Sequence, residues 1–446
     1  MRSKPITALA STATLLFASL GANAATDEQM RLLEQRVSEM EDRLEATSAQ
    51  LQDEKKNNQE QRAMLEQAGL VEEGDKGVRS AVSSFFEMVN VSGVAAGSYN
   101  YRFIDAGDND AGNVNPTGAA TGGARNDPFF THKNGDSFQI DQVWITLDKA
   151  PTEESRAGFH ADYVWGETAE QQSLSVSSRD GGRDSGLLYT GYVSYLAPIG
   201  NGVRFDAGKL ATGLGAEVLQ TNVNLNVTEG VVFQKLQPFT YVGLTSTTQL
   251  TDSVGLVLGV VNEVYRDNNF SVDRDKAGIA QLKFAGEGWG LNVGAIVGQD
   301  PISVRCDSSE DDCNTSVFDV TASFSPTDNI TGWVNFDWVR TFGKDVSEGD
   351  KFGIATAARV GITDDTGIGA RFEYLTQQKS TLALGAGEDQ EYITATGTID
   401  HALTEGLKVR AELRYDRELR RDVAQFITNS GDEDSFAGIA QMYYAF

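Results

Sequence analysis

Leu407-Lys408-Val409-Arg410-Ala411-Glu412-Leu413-Arg414-Tyr415-Asp416 is the stretch whose reading decides the fold of this chain. Side chains on an extended strand alternate sides with a period of two, so Leu407, Val409, Ala411, Leu413 and Tyr415 share one face. Every residue opposite is charged. Such a strand suits a wall between oil and water, but a soluble β-sandwich also alternates.

Working outward, Phe318, Val320, Ala322 and Phe324 alternate with Val317, Asp319, Thr321 and Ser323. Ile330, Val334, Phe336 and Trp338 alternate with Thr331, Trp333, Asn335 and Asp337, and Phe159, Ala161, Tyr163 and Trp165 with His160, Asp162 and Val164. From Phe85 onward such segments recur, separated by Gly, Asn, Asp, Ser and Pro. Long connections are expected at 105–136, 169–185, 210–238, 266–274, 301–314, 342–350, 378–389 and 417–433. Short turns are expected between them at 150–154, 198–201, 251–252, 286–287, 326–329, 363–365 and 403–405. Strict alternation of long and short predicts an all-β transmembrane antiparallel barrel of about 16 strands (roughly 14–18), with short periplasmic turns and longer external loops. A Greek-key sandwich has no reason to produce it. An even count puts both ends of the barrel on the periplasmic side, and a barrel of this size encloses water rather than side chains alone.

Composition agrees with that reading. The 446 residues carry a formal charge of −27, which excludes a nucleic-acid partner because phosphate binding needs a basic face. A mean hydropathy of −0.31 is compatible with a barrel, whose lumen-facing residues average away its lipid-facing ones. The chain closes on Gln441-Met442-Tyr443-Tyr444-Ala445-Phe446. Ala440, Met442, Tyr444 and Phe446 fall on one face, with Tyr444 and Phe446 placed for an interfacial aromatic girdle. This ending looks like the C-terminal signal that the barrel-assembly machinery reads in outer-membrane proteins.

The opening residues differ. Arg2 and Lys4, an apolar run from Ile6 to Leu20 and Ala22-Asn23-Ala24 read as a signal peptide over 1–24, the alternative being an uncleaved anchor. Residues 25–68 lack proline and, up to Gln67, carry Met30, Leu33, Val37, Met40, Leu44 and Leu51 at 3–4 spacing, with Asn58 and Leu65 continuing one seam. That spacing predicts a left-handed periplasmic coiled coil, projecting roughly 63 Å if fully helical. The alternative is a single helix on the barrel rim. Gly69, Gly74 and Gly77 with Glu72, Glu73 and Asp75 make 69–84 a hinge before a barrel over 85–446.

Several runs resemble the OmpL-like β-barrel porin family: Glu154-Ser155-Arg156-Ala157-Gly158-Phe159, Val193 to Gly202 (VSYLAPIGNG), Asp206-Ala207-Gly208-Lys209 and Gly213-Leu214-Gly215-Ala216-Glu217. Gln237-Pro238-Phe239-Thr240, Gly243-Leu244 and Leu258-Gly259-Val260-Val261-Asn262 continue the likeness, which spans about 138–446. It implies an outer-membrane diffusion channel of undefined substrate, with no catalytic residues. The N-terminal coil lies outside it.

Candidate sites follow from the barrel. The connection near 210–238, between the fifth and sixth strands, carries Glu217, Glu229 and Lys235 and reads either as a constriction folded into the lumen or as an ordinary external loop. Gly213 and Gly215 fit a sharp turn. Arg359, Arg371, Lys408, Arg410 and Arg414 make a basic wall and Asp319 and Asp337 an acidic counterpart, setting up a transverse field. The plain alternative is a solvated lumen with local pairs such as Arg371 with Glu373. Cys306 and Cys313, the only cysteines, are expected to form a disulfide worth about 2.5 kcal/mol. The acidic residues Asp307, Glu310, Asp311 and Asp312 between them attract divalent cations or are simply solvated.

His132, His160 and His401 are too scattered for a metal site or a nucleophilic device, so neither enzymatic activity nor a cofactor is expected. The expectation is passive diffusion of small hydrophilic solutes through a homotrimer held partly by the coil, in outer-membrane lipid and lipopolysaccharide. A structural tether acting through the coil, and a specific uptake channel for a sugar or siderophore, are the alternatives.

Overall fold

The structure, a computed structural model, describes residues 56, 89–104, 132, 136–170, 186–265, 276–299, 314–343, 349–377, 390–420 and 434–446. The signal peptide, the seam from Met30 to Leu51, the hinge, Cys306 and Cys313 lie outside the described residues.

Sixteen strands follow one another: β1 (Asn90–Ile104), β2 (Ser137–Lys149), β3 (Ala157–Trp165), β4 (Gly186–Ala197), β5 (Val203–Ala211), β6 (Thr240–Thr251), β7 (Val254–Val261) and β8 (Ala277–Gly286). Then come β9 (Trp289–Gln299), β10 (Asn314–Thr327), β11 (Ile330–Phe342), β12 (Gly349–Gly361), β13 (Thr366–Gln377), β14 (Gln390–Thr404), β15 (Leu407–Arg420) and β16 (Asp434–Ala445). Each pairs antiparallel with its neighbours, and β1 pairs with β16 to close the barrel. Closure leaves no edge strand, which hydrocarbon would not tolerate.

The opening stretch shows how the wall is built. On β15, Arg410, Glu412, Arg414 and Asp416 are buried while Leu413 is 53% exposed. The ordinary order of a soluble protein is inverted: charge points in and hydrocarbon points out. Register carries the same phase round the wall, with Leu413 beside Gly397 and Ala370 beside Ala358 on the outer face. Large outward side chains such as Phe372, Ile399 and Met442 coat it. Aromatic residues collect at both rims, Tyr195, Trp289, Tyr444 and Phe446 at the short-turn end and Phe138, Trp165 and Trp338 at the other.

The expected alternation of connection lengths holds at every step, and even the shortest long connection, 343–348, exceeds the turns 328–329 and 362–365 on either side of it. That connection is nonetheless shorter than the turn 150–156. β11 and β12 stay paired up to Thr341 opposite Gly349, which shortens the first. Pro151 has no N–H to give the ladder, and a turn in which the Thr152 N–H donates to the Ser155 carbonyl lengthens the second.

Candidate functional site

Residues 212–239 leave β5 and enter the lumen. Gly215 has φ +85°, a left-handed turn, and a Cβ there would run into the Gln237 amide. The Thr212 N–H donates to the Phe239 carbonyl at 2.9 Å and ties the two ends of the loop together. Near its end, helix α1 (Val231–Leu236) lays Val232 and Leu236 on inward-facing Val339, Ala355 and Leu375. Gly353 of β12 makes room, because a Cβ there would sit against Val232 and Leu236. This apolar seat interrupts the mainly polar inner face that the alternating segments provide.

A loop inside a barrel loses water from its N–H and C=O groups, and those groups need partners. The charged wall supplies them. Glu373 of β13 accepts from the Val231 and Val232 N–H groups at 3.1 Å each, meeting the open donors of the first turn of α1. Glu412 of β15 accepts from the Val227 N–H at 2.5 Å, the Thr228 N–H at 3.0 Å and the Thr228 hydroxyl at 2.6 Å. Arg414 donates to the Glu229 carbonyl at 2.8 Å. Arg410 donates to the Asn224 and Asn226 carbonyls at 3.2 and 3.1 Å. Arg371 meets Glu217 at 2.5 Å and Glu373 at 3.3 Å.

Other strands hold the same loop. Gln142 of β2 donates to the Leu219 carbonyl and accepts from the Thr221 N–H, both at 3.0 Å. Gln281 of β8 donates to the Gly213 carbonyl at 2.6 Å. Gln237 donates to Asn335 and Asp337 at 2.7 and 2.8 Å. Glu217, on the loop itself, is deeply buried. Burial pushes its carboxyl up to about 7, against the opposing pull of the Arg371 guanidinium.

The sequence-derived residues therefore sit as follows. Glu217 and Glu229 are buried in the lumen, and Lys235 is half-buried in the last turn of α1. Arg371, Arg410 and Arg414 grip the loop, so they form no open basic wall. Arg359 makes a two-pronged pair with Asp400, both contacts 2.7 Å, while Lys408 is half-buried on the same face. Asp319 and Asp337 are direct cross-strand partners on β10 and β11. Both are buried, Asp337 on the strand next to Arg359-bearing β12 and Asp319 one strand further round. His132 is buried with Nε2 3.4 Å from Asp141. His160 lies between Asp148 and Asp162, and Nδ1 of His401 is 2.8 Å from the Thr366 hydroxyl at the outer face.

Glu412, Gln142 and Gln281 were not singled out in the sequence, and Glu373 was noted only as a partner for Arg371. Nothing in their spacing marks a side chain that will receive a loop backbone. Away from the grip of β10–β15, a pocket of about 200 Å³ remains against β3–β9, where Tyr192, Asp206, Tyr241 and Lys283 are among the lining residues.

A closed sixteen-strand barrel with a charged interior, entered by the loop 212–239, defines an outer-membrane channel of the porin class. The chain belongs to the family described as "Putative beta-barrel porin-2, OmpL-like", whose model matches residues 88–446. Among solved structures, a loop L8 deletion mutant of OmpT, an outer membrane protein of Vibrio cholerae, superposes with TM-score 0.51 at 12% identity over 80% of this chain and 99% of that one. The anion-selective porin from Comamonas acidovorans gives 0.50 at 10% identity over 80% and 99%. Salmonella typhi OmpF in complex with daunomycin gives 0.51 at 10% identity over 80% and 97%. At such identities the likeness is one of fold alone. Comparison with curated proteins gives no match.

Proposed function

We propose that this porin passes small hydrophilic solutes by passive diffusion, and that the loop 212–239 narrows the route. One observation carries this reading: the loop is bound to β10–β15, β2 and Gln281 of β8 but leaves a pocket lined by both polar and apolar side chains against β3–β9. Solutes follow that side. Glu217 and Glu229 act as anchors of the narrowing, and the lumen arginines set its shape more than they sort ions. The seam of Met30, Leu33, Val37, Met40, Leu44 and Leu51 supports a periplasmic coiled coil that joins three copies, behind a cleaved signal of residues 1–24. Cys306 and Cys313 close an external loop by a disulfide.

Planar-bilayer recording of the purified full chain tests the central claim. Stable, ohmic steps are expected, together with permeation of uncharged sugars up to a size limit. A folded, inserted protein that gives no conductance would overturn it.

A further inference from the structure

Strands β6, β7, β8 and β9 contain one charged residue between them, Lys283. It alternates with outward Leu282, shares the inward face with buried Gln281, and borders the open pocket. Among the described residues no carboxylate acts on it. Elsewhere in the lumen, by contrast, Arg204, Arg359, Arg371 and Arg414 are each matched to an acid.

The other end of the same pocket is negative. His160 has Asp148 2.8 Å from Nδ1 and Asp162 2.9 Å from Nε2. Both ring nitrogens must carry hydrogen for both contacts to be hydrogen bonds, so one imidazolium serves two carboxylates and one negative charge is left over. Asp206 adds nothing to that excess, because Arg204 donates to it at 2.8 Å and Ser194 at 2.5 Å. Between the ends lie the Tyr192 ring, stacked on His160 at 5.0 Å, the hydroxyls of Thr245 and Thr247, and the apolar side chains of Leu214 and Ile279.

We propose that this pocket is a docking site for short linear peptides with free ends, the terminal ammonium directed to the Asp148–His160–Asp162 group and the terminal carboxylate to Lys283. The proposal rests on the diffusion reading above. Five strand spacings, roughly 24 Å along the curved wall, separate β3 from β8. An α-amino acid, whose two charges flank one carbon, cannot reach both ends even with the lysine stem extended. An extended pentapeptide, at about 3.4 Å per residue, spans roughly 17 Å, and the lysine stem together with the inward reach of the His160 ring covers the remainder. Apolar side chains along the peptide find Leu214 and Ile279, and its amides find the threonine hydroxyls.

The test is current blockade in planar bilayers by Ala-Leu-Ala-Leu-Ala, its N-acetylated form and its C-amidated form. The free peptide should half-block at a concentration about fivefold below either capped form. Lys283→Met should raise the half-blocking concentration of the free peptide about fivefold and leave the amidated form unchanged. Equal blockade by the acetylated and free forms would show a plain anion site and overturn the proposal. Blockade by none of the three, or an unchanged response in Lys283→Met, would overturn it too. The conductance before any peptide is added reports on the diffusion reading separately, so the two cannot fail under one guise.

Discussion

Gly93 and Phe446 exchange both backbone hydrogen bonds, each N–H donating to the other's carbonyl at 3.0 Å. The last residue of the chain thereby latches the first strand to the last. A Cβ on Gly93 would lie 2.8 Å from the Phe446 ring and closer still to the Trp144 carbonyl. Gly93→Val is expected to destabilise the closed barrel by about 1–3 kcal/mol. Removing Phe446 should lower the folded fraction more strongly. Heat-modifiable electrophoretic mobility, read across a urea series, measures both.

Removal of Arg371 is the sharpest test of the loop clasp. Arg371→Met leaves Glu217 and Glu373 buried without their cation, a change that costs about 3–5 kcal/mol in comparable buried pairs. Because the loop can leave the lumen while the strands stay paired, the loss should appear as a larger single-channel conductance in a barrel that still resists heat. A folded Arg371→Met barrel with native conductance would refute the clasp.

Glu217 makes the clasp pH-dependent. Its carboxyl is raised to about 7 in the folded state from an ordinary 4.5, so folding favours the protonated form. The stabilisation is full below the ordinary value and is lost as pH rises through about 7. Amides of the loop, such as that of Gly230, which donates to Glu217 at 2.8 Å, should exchange hydrogen faster near pH 8 than near pH 6 after correction for intrinsic rates. Glu217→Gln should abolish that difference.

The outward phase of β15 predicts an asymmetry between faces. Leu413→Arg places a charge in hydrocarbon and should cost about 2–4 kcal/mol near mid-membrane. Thr247→Arg, on the lumen face of β6, should change stability by about 0.5 kcal/mol or less. Reversible unfolding in lipid vesicles, followed by tryptophan fluorescence, compares them.

Truncation bears on assembly. Deleting residues 25–75 should leave an inserted, conducting barrel and reduce the trimer fraction seen by crosslinking. Loss of conductance with trimers intact would reverse the proposed division of labour.

The wall was legible because two simple periods are written into it. Leu407 to Asp416 gives its phase residue by residue, and the spacing of turn residues gives the strand count and the long loop after β5. What escaped reading depends on the folded backbone. Arg410 and Arg414 look like an open basic surface in sequence, but besides Gln441 and Asp416 they donate to the carbonyls of Asn224, Asn226 and Glu229, groups every residue has. Val317 occupies a lumen position among polar neighbours, and only the arrival of Leu214, Val232 and Leu236 in the same cluster explains it. Lys283 carried no local signal, since its meaning comes from four strands otherwise free of charge.

The loop's attachments to β2, β8, β11, β13 and β15 have a mechanical side. A ring of sixteen strands joined only edge to edge is free to flatten, as any thin hoop is. A segment fastened at several points around the inner circumference works as a cross-brace, fixing the ring's roundness along with the width of its opening. Substitutions at Gln142 or Gln281 should therefore alter the shape of the whole hoop, and current noise in distant regions of the wall should rise when a single brace is cut.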